Sequence, residues 1–358
     1  MLKRRRSVWR GGLALVVVVC AFALPAVAAD TIPASYSDAE FWRLINEFSE
    51  PNGYYQYENF VSNEISFQTA LPELKRLTRP GGVYLGVGPE QNFTYIAAIE
   101  PKVAFIIDIR RQNLVELLLY KALFEMSADR ADFVSRLFSR KRPEGLGANS
   151  TAADMILAFE SLAPDKALYD ETLAAIKDNL ISKHGFKPVG DDEQKIEYVF
   201  DVFYRGGPRM NYAFASSSPN QQVPSYKWLM LVTDTRGENW AFLDAESRYQ
   251  YVKEMQRKNL IVPLVGDFGG PKTLRALGQY LRGHDAVVSV FYISNVEDYI
   301  AEKWSAYVAN LKALPQDDRS VLMRFITMTI TQLGWMRDTP LRWPAMFTGS
   351  SAAAAALN

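Results

Sequence analysis

Three residues carry the first chemical clue: Gly86 and Gly88, separated by one position, and Asp108, 20 positions beyond the second glycine. Glycine lets a chain turn sharply and lets a ligand approach the backbone without a Cβ in the way. In an α/β nucleotide fold, an acid at that distance ends the next strand and accepts hydrogen bonds from ribose hydroxyls. The chemistry suggested is recognition of a nucleoside-containing small molecule.

Other polar residues join these by position. Asp267 stands in Gly266-Asp-Phe-Gly-Gly270, and Ser294-Asn295 follow the mainly apolar stretch 286–293. Each also has a plain structural reading. Asp108 could bond loop amides at a strand end. Asp267 could cap the helix after Pro271, and Ser294 or Asn295 could cap the next one, with Glu297 near a capping-box position. Arg110, Arg111 and Asn113 could clamp an anion or lie solvated at a helix start. His184 precedes Gly185 at a helix end, where it would meet the negative end of the dipole. His284 sits in a turn, on the edge away from the glycines.

Several chemistries are excluded by count. Cys20 is the only cysteine and lies in the leader, and the chain has two histidines. Disulfides, zinc–thiolate centres, cysteine nucleophiles and histidine-rich metal sites are therefore ruled out for a mature chain, and no metal site is expected.

These residues need elements to hold them. Val83–Val87 reads as a buried strand after the turn Pro80-Gly-Gly82, with a helix from about 91 to 99. The run 103–107 is continuously apolar, as in a strand buried on both faces of a parallel sheet. A helix at 112–124 follows. From 127 to 226 helical segments dominate (129–139, 151–162, 165–183 and 192–204), with a polar loop at 216–222. Residues 228–233 read as a strand and 247–258 as a helix. The α/β alternation then returns: a strand at 260–265, a helix at 272–281, a strand at 286–293, a helix at 297–313 and a last strand at 320–329.

Right-handed crossovers make such strands parallel and bring their carboxyl ends to one edge, where open α/β sheets bind ligands. Gly86 and Gly88, Asp108, Asp267, and Ser294 with Asn295 all follow strand ends. The expected fold is α/β, a doubly wound, mainly parallel sheet with a large helical insertion. Its parts are a leader at 1–29, an N-terminal helical segment at 30–79, a first half at 80–126, the insertion at 127–226, a second half at 227–340 and a disordered tail at 341–358.

The leader has the form of an export signal. Lys3, Arg4, Arg5, Arg6 and Arg10 precede an apolar run at 11–24, and Ala26-Val-Ala28 is a cleavage-type site. The run is short for a membrane span, and Arg5-Arg6 loosely fits a twin-arginine signal. A periplasmic or secreted chain with no membrane span after cleavage is expected. Without the five leader cations, 35 basic and 40 acidic residues remain, a net charge of −5. That balance offers no basic surface for nucleic acid. A small molecule is the expected partner, and nothing in the sequence sets the oligomeric state.

Two nucleoside classes could use the glycine edge. A dinucleotide site wants a third glycine where Gln91 stands, and its pyrophosphate would meet Glu90 at the helix start. A sulfonium nucleoside such as S-adenosylmethionine has no phosphate and carries positive charge, which Glu90 tolerates.

Here the chain resembles the class I S-adenosylmethionine-dependent methyltransferases. Tyr84-Leu-Gly-Val-Gly-Pro-Glu90 is similar to their glycine motif, Asp108 to their ribose-binding acid and Gly266-Asp-Phe268 to the segment near the adenine. The run 290–298 is similar to the segment facing the transferable methyl. More closely, residues 58–142 and 260–300 resemble a bacterial family of uncharacterised methyltransferase-like proteins. The resemblance implies a methyltransferase-like Rossmann fold with Tyr84, Gly86, Gly88, Glu90, Asn92, Asp108, Asp267, Ser294 and Asn295 around the cofactor. It implies methyl transfer from S-adenosylmethionine, for which Asp267 or Tyr292 could supply a base. The chain departs from the family pattern where Tyr84 replaces the leading acid, where Glu90 replaces the third glycine and in the size of the insertion. The alternative is a non-catalytic nucleoside-binding or scaffold protein of the cell envelope that keeps the fold without the chemistry.

Overall fold

The computed structural model describes residues 30–65, 67–212, 223–326 and 345–350. The segment expected to be an export signal, 1–29, and the loop expected at 216–222 lie outside the described residues. No helix among those described is long and apolar enough to cross a membrane.

Helix α1 (Asp38–Phe48) starts where Ser37 Oγ accepts from the Glu40 N–H at 3.2 Å, and it buries Phe41, Leu44, Ile45 and Phe48 along one stripe. A short α2 (Leu71–Leu77) leads to β1 (Val83–Val87), α3 (Gln91–Ile99), β2 (Val103–Asp108) and α4 (Arg111–Met126). The helical insertion holds α5 (Arg130–Phe138), α6 (Ala152–Glu160), α7 (Lys166–Lys177, continued by a π-helical turn Asp178–Lys183), α8 (Asp192–Gly206) and α9 (Tyr226–Leu231). Then come α10 (Glu246–Arg257), β3 (Ile261–Val265), α11 (Thr273–Gly283), β4 (Val288–Tyr292), α12 (Trp304–Lys312), β5 (Val321–Ile326) and β6 (Ala345–Ser350).

The sheet order is β3-β2-β1-β4-β5-β6, and every neighbouring pair is parallel. This is the order of Rossmann-type doubly wound folds, with the reversal of direction between β1 and β4. β1, β2 and β3 are buried at every position, as a sheet covered on both faces requires. Alternate side chains reach opposite layers. In β4, Tyr292 meets Tyr95 of α3, with ring centres 4.9 Å apart, while Phe291 stacks on Phe268 from the loop before α11. Helices α3, α4 and α10 pack together, and α11 packs with α1 and α12.

The insertion does not stand apart. α5, α7 and α8 pack on α4. Phe133 of α5 meets Phe124 of α4 at 4.6 Å between ring centres, and Phe203 of α8 meets Tyr120 of α4 at 5.7 Å. These rings fuse the insertion to the sheet's helical layer through one continuous core.

Three expectations change. Residues 228–233, read as a strand, contain the end of helix α9, because Ser225 Oγ accepts from Trp228 N–H and starts a helix one residue later. A short apolar run has no period that separates the two states. The helix expected from 297 begins only at Trp304; single 3₁₀ turns at Val296–Asp298 and Ala301–Lys303 precede it. Within the segment expected as a disordered tail, Ala345–Ser350 runs as the edge strand β6, and the rest lies outside the described residues.

Candidate functional site

The turn after β1 owes its shape to a side chain. Asn92 Nδ2 donates to the carbonyls of Val87, Gly88 and Pro89 at 3.0, 3.2 and 2.7 Å, and Asn92 Oδ1 accepts from Tyr84 Oη at 2.7 Å. A Cβ on Gly86 would fall 2.0 Å from Asn92 Oδ1 and 2.8 Å from the Tyr84 ring, so Gly86 is fixed by packing. Gly88 is fixed by conformation: its φ is +80°, and an added Cβ would meet only Asn59 Nδ2 at 3.6 Å. Tyr84, Gly86 and Asn92 thus build the turn from behind, and Gly88 presents it.

Glu90 is also behind the wall. It is fully buried, and neither carboxyl oxygen reaches a donor in hydrogen-bonding geometry. Burial pushes its pKa up to about 8, against a smaller pull from nearby backbone N–H groups. At neutral pH it is mainly the uncharged acid. The expectation that Glu90 repels an anion at the start of α3 is therefore corrected.

Asp108 ends β2 and is held by its neighbour. Its Oδ1 accepts from Arg110 N at 2.9 Å and Arg110 Nε at 3.1 Å, while Oδ2 has only a 3.4 Å contact with Arg110 Nη2. Arg110 Nη1 donates to the carbonyls of Tyr57 (2.8 Å) and Glu58, and its guanidinium lies 5.5 Å from the Tyr55 ring centre. The plain reading of Asp108, a carboxylate binding a loop amide, describes Oδ1; Oδ2 keeps acceptor capacity.

Asp267 is not the cap of α11. Glu50, from the end of α1, takes that role: its carboxylate accepts from Lys272 N at 2.8 Å, Thr273 N at 2.9 Å and Asp267 N at 3.1 Å. Asp267 instead closes its own turn through Gly269 N at 2.9 Å and pairs with Lys303. Nor do Ser294 and Asn295 form a capping box. Asn295 makes no side-chain cap, and Glu297 turns inward to accept from Tyr307 Oη at 3.1 Å and Arg324 Nη1 at 3.0 Å.

Ser294 holds a left-handed φ of +51°, uncommon for a residue with a side chain, and donates to Glu64 Oε1. Tyr292 Oη donates to the same oxygen at 2.8 Å, and Gln91 Nε2 donates to Glu64 Oε2 at 3.0 Å. Glu64 was invisible to the sequence reading. It lies in an irregular stretch before α2, where neither spacing nor periodicity marks a residue.

These groups surround a cavity of about 440 Å³ at the carboxyl ends of β1, β2, β3 and β4, across the reversal between β1 and β4. Gly88, Asp108, Asp267, Tyr292, Ser294 and Asn295 all line it; Tyr84, Gly86, Glu90 and Asn92 do not. The segment around Tyr54, Tyr55 and Asn59, with Tyr212 and Tyr299, closes the remaining sides. Four carboxylates reach the lining, Asp108, Asp267, Asp298 and Glu302, against the single cation Lys303. Among the described residues no group of three or more acids, histidines or cysteines could hold a metal ion.

His184 and His284 stand elsewhere. His184 bridges Asp38 Oδ1 at 2.8 Å and Glu125 Oε2 at 2.6 Å rather than serving only a helix end. His284 Nδ1 meets Thr31 Oγ1 at 3.0 Å. Arg111 pairs with Asp192 at 2.7 Å, which ties α4 to α8.

No curated protein matches the chain. A family model described as a domain of unknown function (DUF7790) matches residues 59–148 and 149–357. The match takes in all six strands and every residue placed at the cavity except Tyr54 and Tyr55, and on that extent the chain belongs to the DUF7790 family.

Proposed function

We propose that the cavity binds S-adenosylmethionine and that the protein transfers its methyl group to a small acceptor. The observation that carries this reading is convergence: Gly88, Asp108, Asp267 and Ser294, from four separate loops, line one cavity at the switch point of a parallel sheet. The volume falls in the range of small-molecule sites, roughly 300–1,000 Å³. The open space beyond Gly88 leaves room for a ligand against the backbone. Asp108 Oδ2 is the acceptor left for ribose hydroxyls, and Phe268, stacked on Phe291, contributes an apolar stretch of wall beside Asp267. With Asp108 paired to Arg110 and Asp267 to Lys303, Asp298 and Glu302 leave the lining net acidic, which favours a cationic ligand over one carrying a pyrophosphate. This replaces the argument from Glu90, which the fold buries. When bound, the cofactor supplies an activated methyl group. The protein's part is to align donor and acceptor and to exclude water.

A second reading rests on Asp108. Its main oxygen is already taken by Arg110, as in a strand end built for stability. A scaffold protein that kept the fold without the chemistry would look the same there. Calorimetry of the purified chain with S-adenosylmethionine, S-adenosylhomocysteine and NAD separates the two. The methyl-donor reading expects heat with the first two and none with NAD. Silence with all three leaves the scaffold.

A further inference from the structure

Glu64 is the acid in this fold with the least ordinary surroundings. It is buried, forms no ion pair among the described residues, and is held by three uncharged donors: Ser294 Oγ and Tyr292 Oη on Oε1, and Gln91 Nε2 on Oε2. Such a carboxyl requires an explanation, because a buried acid without a counter-ion costs stability. It does not itself line the cavity, but all three of its donors do. Tyr292 and Gln91 are buried and bonded to each other, whereas Ser294 is half-buried at the cavity wall.

We infer that Glu64 is the proton acceptor of the cavity, drawing through Ser294 Oγ the proton of a hydroxyl-bearing acceptor bound beside Ser294. The inference rests on the methyl-donor reading above. Ser294 Oγ takes the acceptor's O–H proton while its own proton passes to Glu64 Oε1. The oxygen's electron pair forms the new bond to the methyl carbon, and the methyl–sulfur bonding pair stays on sulfur. The carboxylate's negative charge and the sulfonium's positive charge cancel, and Glu64 later returns its proton to solvent.

The geometry has the parts of an activated hydroxyl relay: a donor–base hydrogen bond, and a base oriented by further groups. The left-handed backbone at Ser294 is a strain of the kind that functional sites retain. Burial pushes Glu64 up to about 7, against the downward pull of Ser294, Gln91 and Tyr292. A base poised there works best near neutral pH. The titratable groups facing it are Tyr84 from β1, Tyr95 from α3 and Tyr292 from β4, all phenols that burial keeps protonated.

The test combines a titration with turnover. Carbon-13 NMR of glutamate-labelled protein should show one carboxyl ionising near pH 7 that is missing from Glu64→Gln. S-adenosylhomocysteine should bind Glu64→Gln within about twofold of wild type by calorimetry. With a panel of phenols, sugars and primary amines, release of S-adenosylhomocysteine from added donor should favour the hydroxyl compounds and rise with pH through the same region. Glu64→Gln should lower that rate about 100-fold or more and flatten the profile, and Ser294→Ala should lower the rate and flatten the profile in the same way. Ionisation of Glu64 in the ordinary carboxylate range overturns the inference. So does a Glu64→Gln variant with wild-type rate and pH profile, transfer to amines alone, or donor binding with no transfer to any of the panel. Absence of donor binding in wild type falls instead on the methyl-donor reading, while the titration still decides the state of Glu64.

Discussion

Arg110 grips Asp108 from two directions, through its own backbone N–H at 2.9 Å and its Nε at 3.1 Å, and then anchors the 57–58 backbone through Nη1. The carboxylate at the end of β2 is thus the joint between the sheet edge and the segment that covers the cavity. Both side chains are under a tenth exposed.

Asp108→Ala should therefore act on stability as well as on ligand. Removing one partner of a buried ion pair leaves the other charge uncompensated, a cost of about 3–5 kcal/mol. The remaining carbonyl partners of Arg110 place the expected loss near the low end, about 3 kcal/mol. Asp108→Asn keeps the acceptor for the Arg110 N–H and should lose less. Urea midpoints of both variants check this. Under the methyl-donor reading each also weakens S-adenosylhomocysteine binding, Asp108→Ala by about tenfold or more. A stability loss with unchanged ligand affinity would make Asp108 a structural residue alone.

Glu90 sets a second prediction. With its pKa raised to about 8, the folded chain holds a proton that the unfolded chain releases near the ordinary glutamate value of 4.5. The folded state binds more protons across that window, so the Glu90 contribution falls as pH rises from 4.5 to 8. Glu116 on α4, also buried, is pushed up by burial first and then by Glu90 beside it, in the same direction. Glu90→Gln should remove much of the slope and make the protein more stable than wild type at pH 8, by up to about 4 kcal/mol. Chemical denaturation at pH 5.5 and pH 8 measures it; equal shifts at both pH values would show that Glu90 is not the titrating group.

His184 is held by two carboxylates and not by a helix end alone. It joins Asp38 on α1 to Glu125 on α4, and Glu125 also takes Lys121 Nζ at 2.7 Å. The hydrogen bond to Glu125 raises the His184 pKa above 6.5, against burial. Its stabilisation is full below that ordinary value and is lost as pH rises through the folded pKa. Burial pushes Glu125 up, but His184 and Lys121 more than offset it and hold the carboxyl well below 4.5, so its share is lost only as pH falls through that lower value. His184→Phe should cost about 1–3 kcal/mol at pH 6 and clearly less at pH 9. The same loss at both pH values would mean that packing, not charge, is what His184 supplies.

The sheet could be read from the chain because β1, β2 and β3 are short, mostly apolar stretches flanked by glycine or proline and alternating with helical periods, the pattern of a parallel sheet covered on both faces. The cavity's lining from strand ends was readable for the same reason: a parallel topology sends Gly88, Asp108, Asp267 and Ser294 to one edge wherever the strands form. What could not be read were partners far apart in sequence. Glu50 caps a helix that starts 223 positions later, and Glu64 meets Ser294 across 230. No local pattern records such pairs. Glu90 misled because a carboxylate at a helix start reads as a charge open to a ligand, and only the fold shows it buried near the Ser62 backbone, Glu116, Tyr120 and Tyr226. The α9 segment misled because five consecutive apolar residues, Trp228–Val232, have no period of their own.

The two glycines of the turn should respond differently to the same substitution, and this contrast tests the reading of Asn92. Gly88→Ala meets no atom closer than 3.6 Å, so its cost is the left-handed φ, about 1–2 kcal/mol, together with a methyl group in the ligand's path. Gly86→Ala keeps an ordinary backbone but drives a methyl into Asn92 Oδ1 and the Tyr84 ring, an overpacking worth about 1–3 kcal/mol. Asn92→Ala alone strips three carbonyl contacts and the partner of Tyr84 Oη, which also destabilises. In the double variant the clashing oxygen is gone and Tyr84 is released from its tether, so Gly86→Ala should cost much less than it does in wild type. A double-mutant cycle by denaturation should show favourable coupling of at least about 1 kcal/mol between positions 86 and 92. The cycle of Gly88→Ala with Asn92→Ala should show little, since the Gly88 side faces the cavity. Additive costs at 86 and 92 would mean that Gly86 is required by something other than the Asn92 brace.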